Sequence, residues 1–445
     1  MCVIRQRPAW PRGLIESRRG RMTKLLWFGA DPVSWSELAR IFHPELEERL
    51  ITMEQSVSFR VAKDDLANAV AWVARSLPSK VTQPVLRAML ITADDNGLEF
   101  TGFDYEVSTR VRIAGMVDEP GRIAVAGKLL SDIVASLPNK EIEMTQEDSK
   151  VLLVCGSSRF ELPLIPLDDY PQLPVLPEVT GTINPQLFVE AISQVVAAAG
   201  KDDTLPMLTG VHIDINGSHV QMTATDRFRL AMRTFEWDPV SPDVEAKLLV
   251  PAKTLQETGR SLDTHLNIPV EIAVGTGENI AAEGLFGLHA DNRETTTRML
   301  DADFPNVAPL LPKTHTAMAS IEVAPLQEAI RRVSLLTDRN AQIRMEFSEG
   351  EVTLAAGADS GRASESLPCA FNGRDNFVIA FNPSYLKDGL AVVHTDRVVF
   401  GFTEPSRPAI MIPEPEELPE ANEDGSFPTP ETDFTYLLMP VRLPG

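Results

Sequence analysis

Apolar and polar positions follow the same order three times between Ser56 and the C terminus. In each copy a short apolar strand leads into a segment with apolar residues at i, i+3, i+4 and i+7, the spacing of one helix face. The helical positions are Leu66, Ala69, Val70 and Val73, then Phe188, Ala191, Ile192 and Val195, then Leu326, Ala329, Ile330 and Val333. This self-similarity predicts three copies of one structural unit.

A hairpin signal follows each of these openings. Asn96-Gly97, Asn216-Gly217 and Glu349-Gly350 lie at similar offsets, and Asn-Gly is the strongest two-residue signal for a tight hairpin. With Asn216-Gly217 as the loop, Ile213 is expected to face Val220, and His219 to face Asp214. The apolar residues then share one face of a half-buried antiparallel pair.

A second strand and helix complete each copy. The predicted helices run over 128–137, 252–262 and 384–393, and proline-rich runs at 171–177 and 305–312 separate the copies. We therefore predict an α+β fold with two helices and antiparallel sheets in each of three domains, 56–178, 179–314 and 315–445. The acidic, proline-rich stretch 413–433 is predicted to be a disordered loop of the third domain.

The first 55 residues do not share the repeat. This leader is arginine-rich, and its pattern allows two interpretations. Either Met53 is the true start and the leader is not part of the fold, or the leader is a disordered or partner-binding segment. The repeats need nothing before Ser56, so we expect the leader to be dispensable for folding.

Composition narrows the class of protein. The formal net charge is −22, which argues against holding nucleic acid by bulk charge. The three cysteines are far apart and fit neither a disulfide framework nor a zinc site, which indicates a reducing, cytoplasmic location. No apolar run approaches the roughly 18 residues of a membrane helix, so no membrane partner is predicted.

Motifs of catalysis are weak. Gly275-Thr276-Gly277 lacks the third glycine of a dinucleotide loop, and Asp301-Ala302-Asp303 sits where a domain-closing turn is expected. His212 and His219 on one hairpin face are better explained as solvated cross-strand neighbours than as metal ligands. We predict no catalytic residue, no metal and no cofactor.

Several longer motifs resemble a known family, the bacterial sliding clamp or β subunit of DNA polymerase III. They are Gly102 to Glu106, Asp202 to Leu208, Thr225 to Ala231, Phe381 to Leu386 and Leu438 to Leu443. The resemblance covers about Val57 to Gly445. The tail and the Arg227-Phe228 pair look like the actinobacterial branch.

The resemblance implies a processivity factor and not an enzyme. It implies three DNA-clamp domains that form half of a ring, a head-to-tail homodimer, helices on the inside, and duplex DNA encircled without sequence specificity. Expected partners are the replicative polymerase α subunit, the clamp loader and other clamp-motif proteins, at the nucleoid in the cytoplasm. The residues expected to face DNA are Lys80, Lys128, Lys201, Lys253, Arg331 and Arg332.

The resemblance also implies a hydrophobic groove that binds partner peptides. Apolar side chains would form its floor, while Arg229 and Arg442 would orient the peptide. The expected groove residues are Leu208, Thr225, Arg227, Phe228, Arg229, Leu230, Pro305, Leu310, Asn382, Tyr385, Met439, Pro440, Val441, Arg442 and Leu443.

One departure keeps other functions open. The family usually places arginine near 308–309, whereas this chain has Asn306-Val307-Ala308-Pro309-Leu310. A paralogous clamp with altered partners, for instance an antibiotic-resistant copy, therefore remains an alternative. A nucleotidyltransferase and a scaffold of the same fold that does not bind DNA are further alternatives, and a polymerase assay and retention on circular DNA separate them.

Overall fold

The repeated apolar pattern corresponds to three repeated groups of helices and strands. The computed structural model describes residues 56–78, 83–275, 284–336, 342–358, 361–374 and 376–442. The predictions for the leader, Lys80, Leu443 and the Thr276-Gly277 pair lie outside the described residues. We call the groups the first, second and third repeat, using the predicted limits 56–178, 179–314 and 315–445 (with β19 assigned to the third).

The first repeat contains two helices, α1 (Lys63–Ser76) and α2 (Gly127–Ser136). Its strands are β1 (Ser58–Val61), β2 (Ala88–Asp94), β3 (Gly97–Phe103), β4 (Val107–Ile113), β5 (Met116–Glu119), β6 (Gly121–Ala126), β7 (Ile142–Glu147), β8 (Lys150–Cys155) and β9 (Ser158–Pro163).

The second repeat contains α3 (Pro185–Val196), the single turn α4 (Pro206–Thr209) and α5 (Ala252–Ser261). Its strands are β10 (Val179–Ile183), β11 (Gly210–Asn216), β12 (His219–Thr225), β13 (Arg229–Glu236), β14 (Asp238–Pro239), β15 (Glu245–Pro251), β16 (Val270–Val274), β17 (Leu285–Ala290) and β18 (Arg293–Arg298).

The third repeat contains α6 (Val323–Val333) and α7 (Pro383–Leu390). Its strands are β19 (Thr314–His315), β20 (Ala317–Glu322), β21 (Ile343–Ser348), β22 (Glu351–Ala358), β23 (Gly361–Pro368), β24 (Ala370–Asn372), β25 (Phe377–Phe381), β26 (Arg397–Phe402), β27 (Ala409–Pro413), β28 (Phe427–Pro428) and β29 (Phe434–Leu438).

Local sequence explains where two of the helices begin. The Asn184 side chain accepts hydrogen bonds from the backbone N–H groups of Gln186 and Leu187, and Asn382 accepts one from Ser384. A proline follows each asparagine, at a position where the missing N–H has no helical partner. In the second helix of each repeat, Leu130 of α2, Leu255 of α5 and Leu386 of α7 occupy equivalent positions and are fully buried.

Two nine-stranded sheets join the repeats. In one, β4 of the first repeat pairs antiparallel with β18 of the second, and in the other β13 pairs with β29 of the third. The same backbone hydrogen bond ends both junctions: Arg298 N–H donates to the Glu106 carbonyl and Met439 N–H to the Phe228 carbonyl, each at 2.9 Å. The third copy of this junction has no partner strand among the described residues.

The predicted register of the second hairpin is wrong by two residues. Asn216 pairs with His219, so the loop is Gly217-Ser218, and Ile213 faces Met222. Gly217 has φ +56°, the left-handed conformation that glycine adopts at low cost. Because a shift of two keeps every side chain on its face, the predicted apolar face is still correct. His219 therefore lies beside Glu236 and not opposite Asp214.

The acidic stretch 413–433 is not disordered, contrary to the prediction. Phe427 and Pro428 pair with β19, and the Phe427 ring packs on the second apolar face of the sheet, formed by Met318, Val399, Ile410 and Ile412. Glu414 forms an ion pair with Arg397 at 3.3 Å. Composition could not indicate this burial, because the covered apolar face belongs to other strands.

Candidate peptide-binding groove and basic face

A tight turn between β12 and β13 forms the base of the groove. Asp226 Oδ1 accepts hydrogen bonds from the N–H groups of Phe228 and Arg229, at 3.0 and 3.1 Å. Arg227 has φ +79°, a conformation that non-glycine residues adopt at some cost and that the Asp226 bonds maintain. The turn leaves the Phe228 side chain 51% exposed.

A cavity of about 350 Å³ lies against this turn. Leu205 and Leu208 form one side, and the rings of Phe228 and Tyr385 stack at 6.1 Å on the other. Since Tyr385 belongs to α7 of the third repeat, the cavity lies between the second and third repeats. Lys201, Asp202, Asp226 and Arg227 supply charged groups at its edge. An apolar floor with a charged edge suits a short peptide with apolar anchors.

Arg229, predicted to orient the peptide, lies beneath the groove and is not part of the cavity lining. It is 6% exposed, and its guanidinium binds Asp226 at 2.9 Å, Asp388 at 2.5 Å and the Tyr436 hydroxyl at 3.2 Å. The Tyr385 ring covers it at 4.6 Å. Burial lowers the pKa of Arg229, but the interactions with Tyr436, Asp388 and Asp226 outweigh it, and the net pKa is raised.

Three other predicted groove residues support the groove and do not line it. Leu230 and Thr225 are buried, and the Thr225 hydroxyl donates a hydrogen bond to the Arg229 carbonyl at 2.7 Å. Asn382 caps α7 and so positions Tyr385 one helical turn later. None of the three is part of the cavity lining, which could not be predicted because the sequence does not indicate which way a side chain points.

The tail lies beside Phe228, as predicted. Met439 N–H binds the Phe228 carbonyl at 2.9 Å, and Val441 N–H binds the Ala380 carbonyl at 2.8 Å. Met439 and Pro440 are half-buried, whereas Val441 and Arg442 are exposed. Pro305 and Leu310 are exposed and are not part of the cavity lining.

The first repeat contains the same turn without the groove. Asp104 Oδ1 accepts hydrogen bonds from the N–H groups of Glu106 and Val107, and Tyr105 has φ +77°. At the positions equivalent to Phe228 and Tyr385, however, the first junction has Glu106 and Thr254. The stacked Phe228–Tyr385 pair therefore has no counterpart at these positions of the first junction. Comparing these two turns within the sequence would have indicated which of the two junctions carries the aromatic pair.

A basic cavity of about 840 Å³ lies on another side of the same junction. Lys201, Lys253 and Arg260 line it, and none of the three has an ion pair among the described residues. Lys253 and Arg260 are seven residues apart on α5, so they share a helix face. Arg260 was missed in the sequence, although this spacing from Lys253 was the signal.

The other predicted DNA-facing residues differ in their surroundings. Arg331 binds Glu328 at 2.7 Å, and Arg332 binds Glu365 of β23 at 2.6 Å. Their charges are thus partly compensated within the chain. Lys128 is exposed at the start of α2.

Within the described ranges, no group of three or more His, Cys, Asp or Glu side chains is placed to hold a metal ion. His212 instead stacks on Phe304 at 5.1 Å, and burial lowers its pKa. None of the described helices is long and apolar enough to span a membrane.

Comparisons with known proteins agree with this geometry. Family models described as DNA polymerase III beta subunit match residues 57–174 (N-terminal domain), 182–306 (central domain) and 308–421 (C-terminal domain). A beta sliding clamp of Streptomyces coelicolor is 42% identical over 390 residues, covering 87% of this chain and 100% of the relative. The beta sliding clamp homolog GriR of Streptomyces muensis is 38% identical over 385 residues, covering 86% and 99%.

A solved structure supports the same conclusion. The DNA polymerase sliding clamp of Bacillus subtilis superposes with a TM-score of 0.77 at 25% identity, covering 87% of this chain and 99% of that chain. Because the family models account for all three repeats, and an actinobacterial relative matches along its whole length, the chain belongs to the DNA polymerase III beta subunit family, the beta sliding clamps.

Proposed function

We propose that this protein is a non-catalytic processivity factor that encircles duplex DNA as a homodimer and tethers the replicative polymerase. The observation that carries the proposal is the junction between the second and third repeats. The junction carries a groove with the exposed Phe228–Tyr385 pair and a second cavity lined by the uncompensated cations Lys253 and Arg260, and Lys201 lines both. One junction thus offers a surface for an apolar peptide and a surface for phosphates.

The charge distribution is compatible with DNA inside a ring. A protein that encloses DNA does not need tight ionic binding, because topology prevents dissociation. Contacts from a few lysines and arginines to phosphates are then enough, and they are independent of base sequence. The net charge of −22 argues against bulk ionic binding and is consistent with this arrangement.

A homodimer would cover apolar side chains that the single chain exposes. At the first junction, Arg75 of α1 and Thr254 of α5 line one small cleft. Leu335, just after α6, is the positional counterpart of Arg75 and is 77% exposed. Leu129, on α2, is the counterpart of Thr254 and is 47% exposed. If a second copy repeats the junction, Leu335 of one copy meets Leu129 of the other. Sedimentation should then give about twice the chain mass at micromolar concentration, and a stable monomer would reject the dimer.

The tether role is tested by removing the tail. Deleting 439–445 removes the backbone bonds to the Phe228 and Ala380 carbonyls but few core contacts. The variant should remain a dimer, lose binding of a polymerase-derived peptide with leucine and phenylalanine anchors, and lose processive synthesis with the polymerase α subunit. Peptide binding equal to that of the parent would show that the groove lies elsewhere.

A clamp paralogue with altered partners is the second candidate. The segment Asn306 to Leu310 has no arginine, and Leu310 stands exposed outside the cavity. Partner peptides that rely on a cation in this segment would bind this chain weakly. Comparing peptide affinities of the parent and Ala308→Arg tests this, since a gain of tenfold or more would favour the paralogue.

The same groove would serve the clamp loader and other clamp-motif proteins at the nucleoid.

A further inference from the structure

The chain builds one kind of strand junction twice and leaves its third copy open. In both internal junctions, the strand after the first hairpin, β4 or β13, pairs with the last strand of the next repeat, β18 or β29. The counterparts without such a neighbour are β23 of the third repeat and β9 of the first, and each is the edge of its sheet.

We propose that β23 of one copy pairs antiparallel with β9 of a second copy in the register of the internal junctions, so that Arg362 forms an ion pair with Glu161 of the second copy. This inference rests on the proposed homodimer and specifies its strand register and its charge contact. A ring of two copies would contain this pair twice.

The hairpins fix the register. Gly97, His219 and Glu351 are the first paired residues after the first hairpin loop in their repeats. Counting equally far along the next strands makes Val111 and Glu365 equivalent positions. Ser158 and Arg293 are likewise the first paired residues after the last hairpin loop. Because Val111 faces Arg293, Glu365 should face Ser158 of the second copy, which places Arg362 opposite Glu161.

The direction of the backbone groups provides an independent check. Leu164 N–H binds the Ser149 carbonyl at 2.9 Å, so even-numbered residues of β9 turn toward β8 and Glu161 turns its backbone outward. Cys369 N–H binds the Gly350 carbonyl at 3.0 Å, so Arg362 also turns its backbone outward. In the proposed register, the outward-directed backbone N–H and C=O groups of β9 lie opposite those of β23. A shift of one residue would leave both edges without hydrogen bonds.

The charges at this position separate the open junction from the closed ones. At the equivalent place, the internal junctions have Ser108 opposite Thr296 and Leu230 opposite Leu437, all buried and uncharged. Arg362 is exposed and has no ion pair among the described residues. Glu161 has a 53% exposed side chain, and its one ion-pair partner within the described part of the chain is Lys150 of its own sheet, at 2.9 Å.

The first internal junction contains a precedent for the pair. Arg110 of β4 lies 3.7 Å from Glu294 of β18, one hydrogen-bonded pair further along. The cation comes from the strand after the first hairpin and the anion from the last strand, the same polarity as Arg362 and Glu161. Charges also protect free sheet edges against unspecific pairing. A test must therefore distinguish a specific contact from protection of an edge.

Charge reversal makes that distinction. In Glu161→Arg or Arg362→Glu, both junctions of the homodimer place like charges opposite each other. Each variant replaces a favourable cross-strand charge pair by an unfavourable one at two junctions. The dimer dissociation constant should therefore be roughly 2- to 30-fold higher at low salt. Mixing the two variants creates a heterodimer with complementary charges at both junctions. The heterodimer should exceed the statistical half of all dimers, as measured by native mass spectrometry with one variant mass-tagged.

Matched variants control for local effects. Lys150→Ala breaks the intrachain ion pair with Glu161 that Glu161→Arg also breaks. Arg344→Glu reverses a charge on β21, away from both free edges. Both should dimerise like the parent.

Disulfide cross-linking is a second measurement. In the proposed register, Arg159 and Ser364 should face each other, at a Cα separation of about 5.5 Å. The double variant Arg159→Cys/Ser364→Cys should therefore form an intersubunit disulfide on oxidation, whereas Arg159→Cys/Ser366→Cys should not.

The outcomes separate this inference from the proposed function. Heterodimer preference and selective cross-linking support the register and the ion pair. A dimeric parent with no heterodimer preference and no selective cross-link overturns both, while leaving the homodimer intact. A monomeric parent overturns the homodimer itself.

Discussion

Replacing Phe228 by alanine should abolish most peptide binding without affecting the fold. A phenylalanine side chain buries roughly 150–250 Å² when it is fully covered. Since Phe228 is 51% exposed, a bound peptide would cover about 100 Å² of it. At about 25 cal/mol per Å², and allowing for the Cβ that alanine keeps, the loss is about 2 kcal/mol, or roughly 30-fold in Kd.

The assay is fluorescence anisotropy of a labelled peptide with leucine and phenylalanine anchors. Val240→Ala is the matched control, because Val240 is a highly exposed apolar residue of the second repeat that does not line the groove. The melting temperature and the sedimentation of Phe228→Ala should match those of the parent. A change in Kd below about threefold, or an equal loss in Val240→Ala, would refute the assignment of Phe228 to the peptide surface.

Three further predictions concern the interior, the basic face and pH. Arg229→Ala should lower the free energy of unfolding by roughly 3–5 kcal/mol in urea titration, because Asp226 and the Tyr436 hydroxyl lose a buried partner. Lys253→Ala and Arg260→Ala should each reduce the salt dependence of DNA binding by about one ion, whereas Val240→Ala should not. Burial lowers the pKa of His315 to about 4 from 6.5. Between these values the unfolded chain binds a proton that the folded chain does not, so stability should fall by up to about 3 kcal/mol as pH falls through this window, and His315→Gln should lack this component.

Periodicity was sufficient to predict the elements. The helix faces at Leu66, Phe188 and Leu326 are buried as expected, because the spacing of apolar residues directly records which side meets the core. The hairpin register was off by two residues because the loop is Gly217-Ser218 and not Asn216-Gly217. Both choices bury the same face, so the apolar pattern could not distinguish them.

Side-chain direction and long-range contacts were beyond the sequence. Arg229 was expected in the groove from the family resemblance, yet it is 6% exposed and forms ion pairs beneath the turn that carries Phe228. Its partners Asp388 and Tyr436 are far away along the chain. Phe427 likewise finds its apolar face on strands that precede it, so the composition of the acidic stretch gave a false indication of disorder.

The central claim is that the protein holds DNA by enclosing it. Protein loaded by a clamp loader onto nicked circular DNA should remain bound in high salt and should dissociate once the circle is cut to a linear form. Ionic contacts alone would be lost equally from both forms, because counterions compete in the same way. Selective loss from the linear form is the result we predict, and equal loss from circular and linear DNA would contradict enclosure.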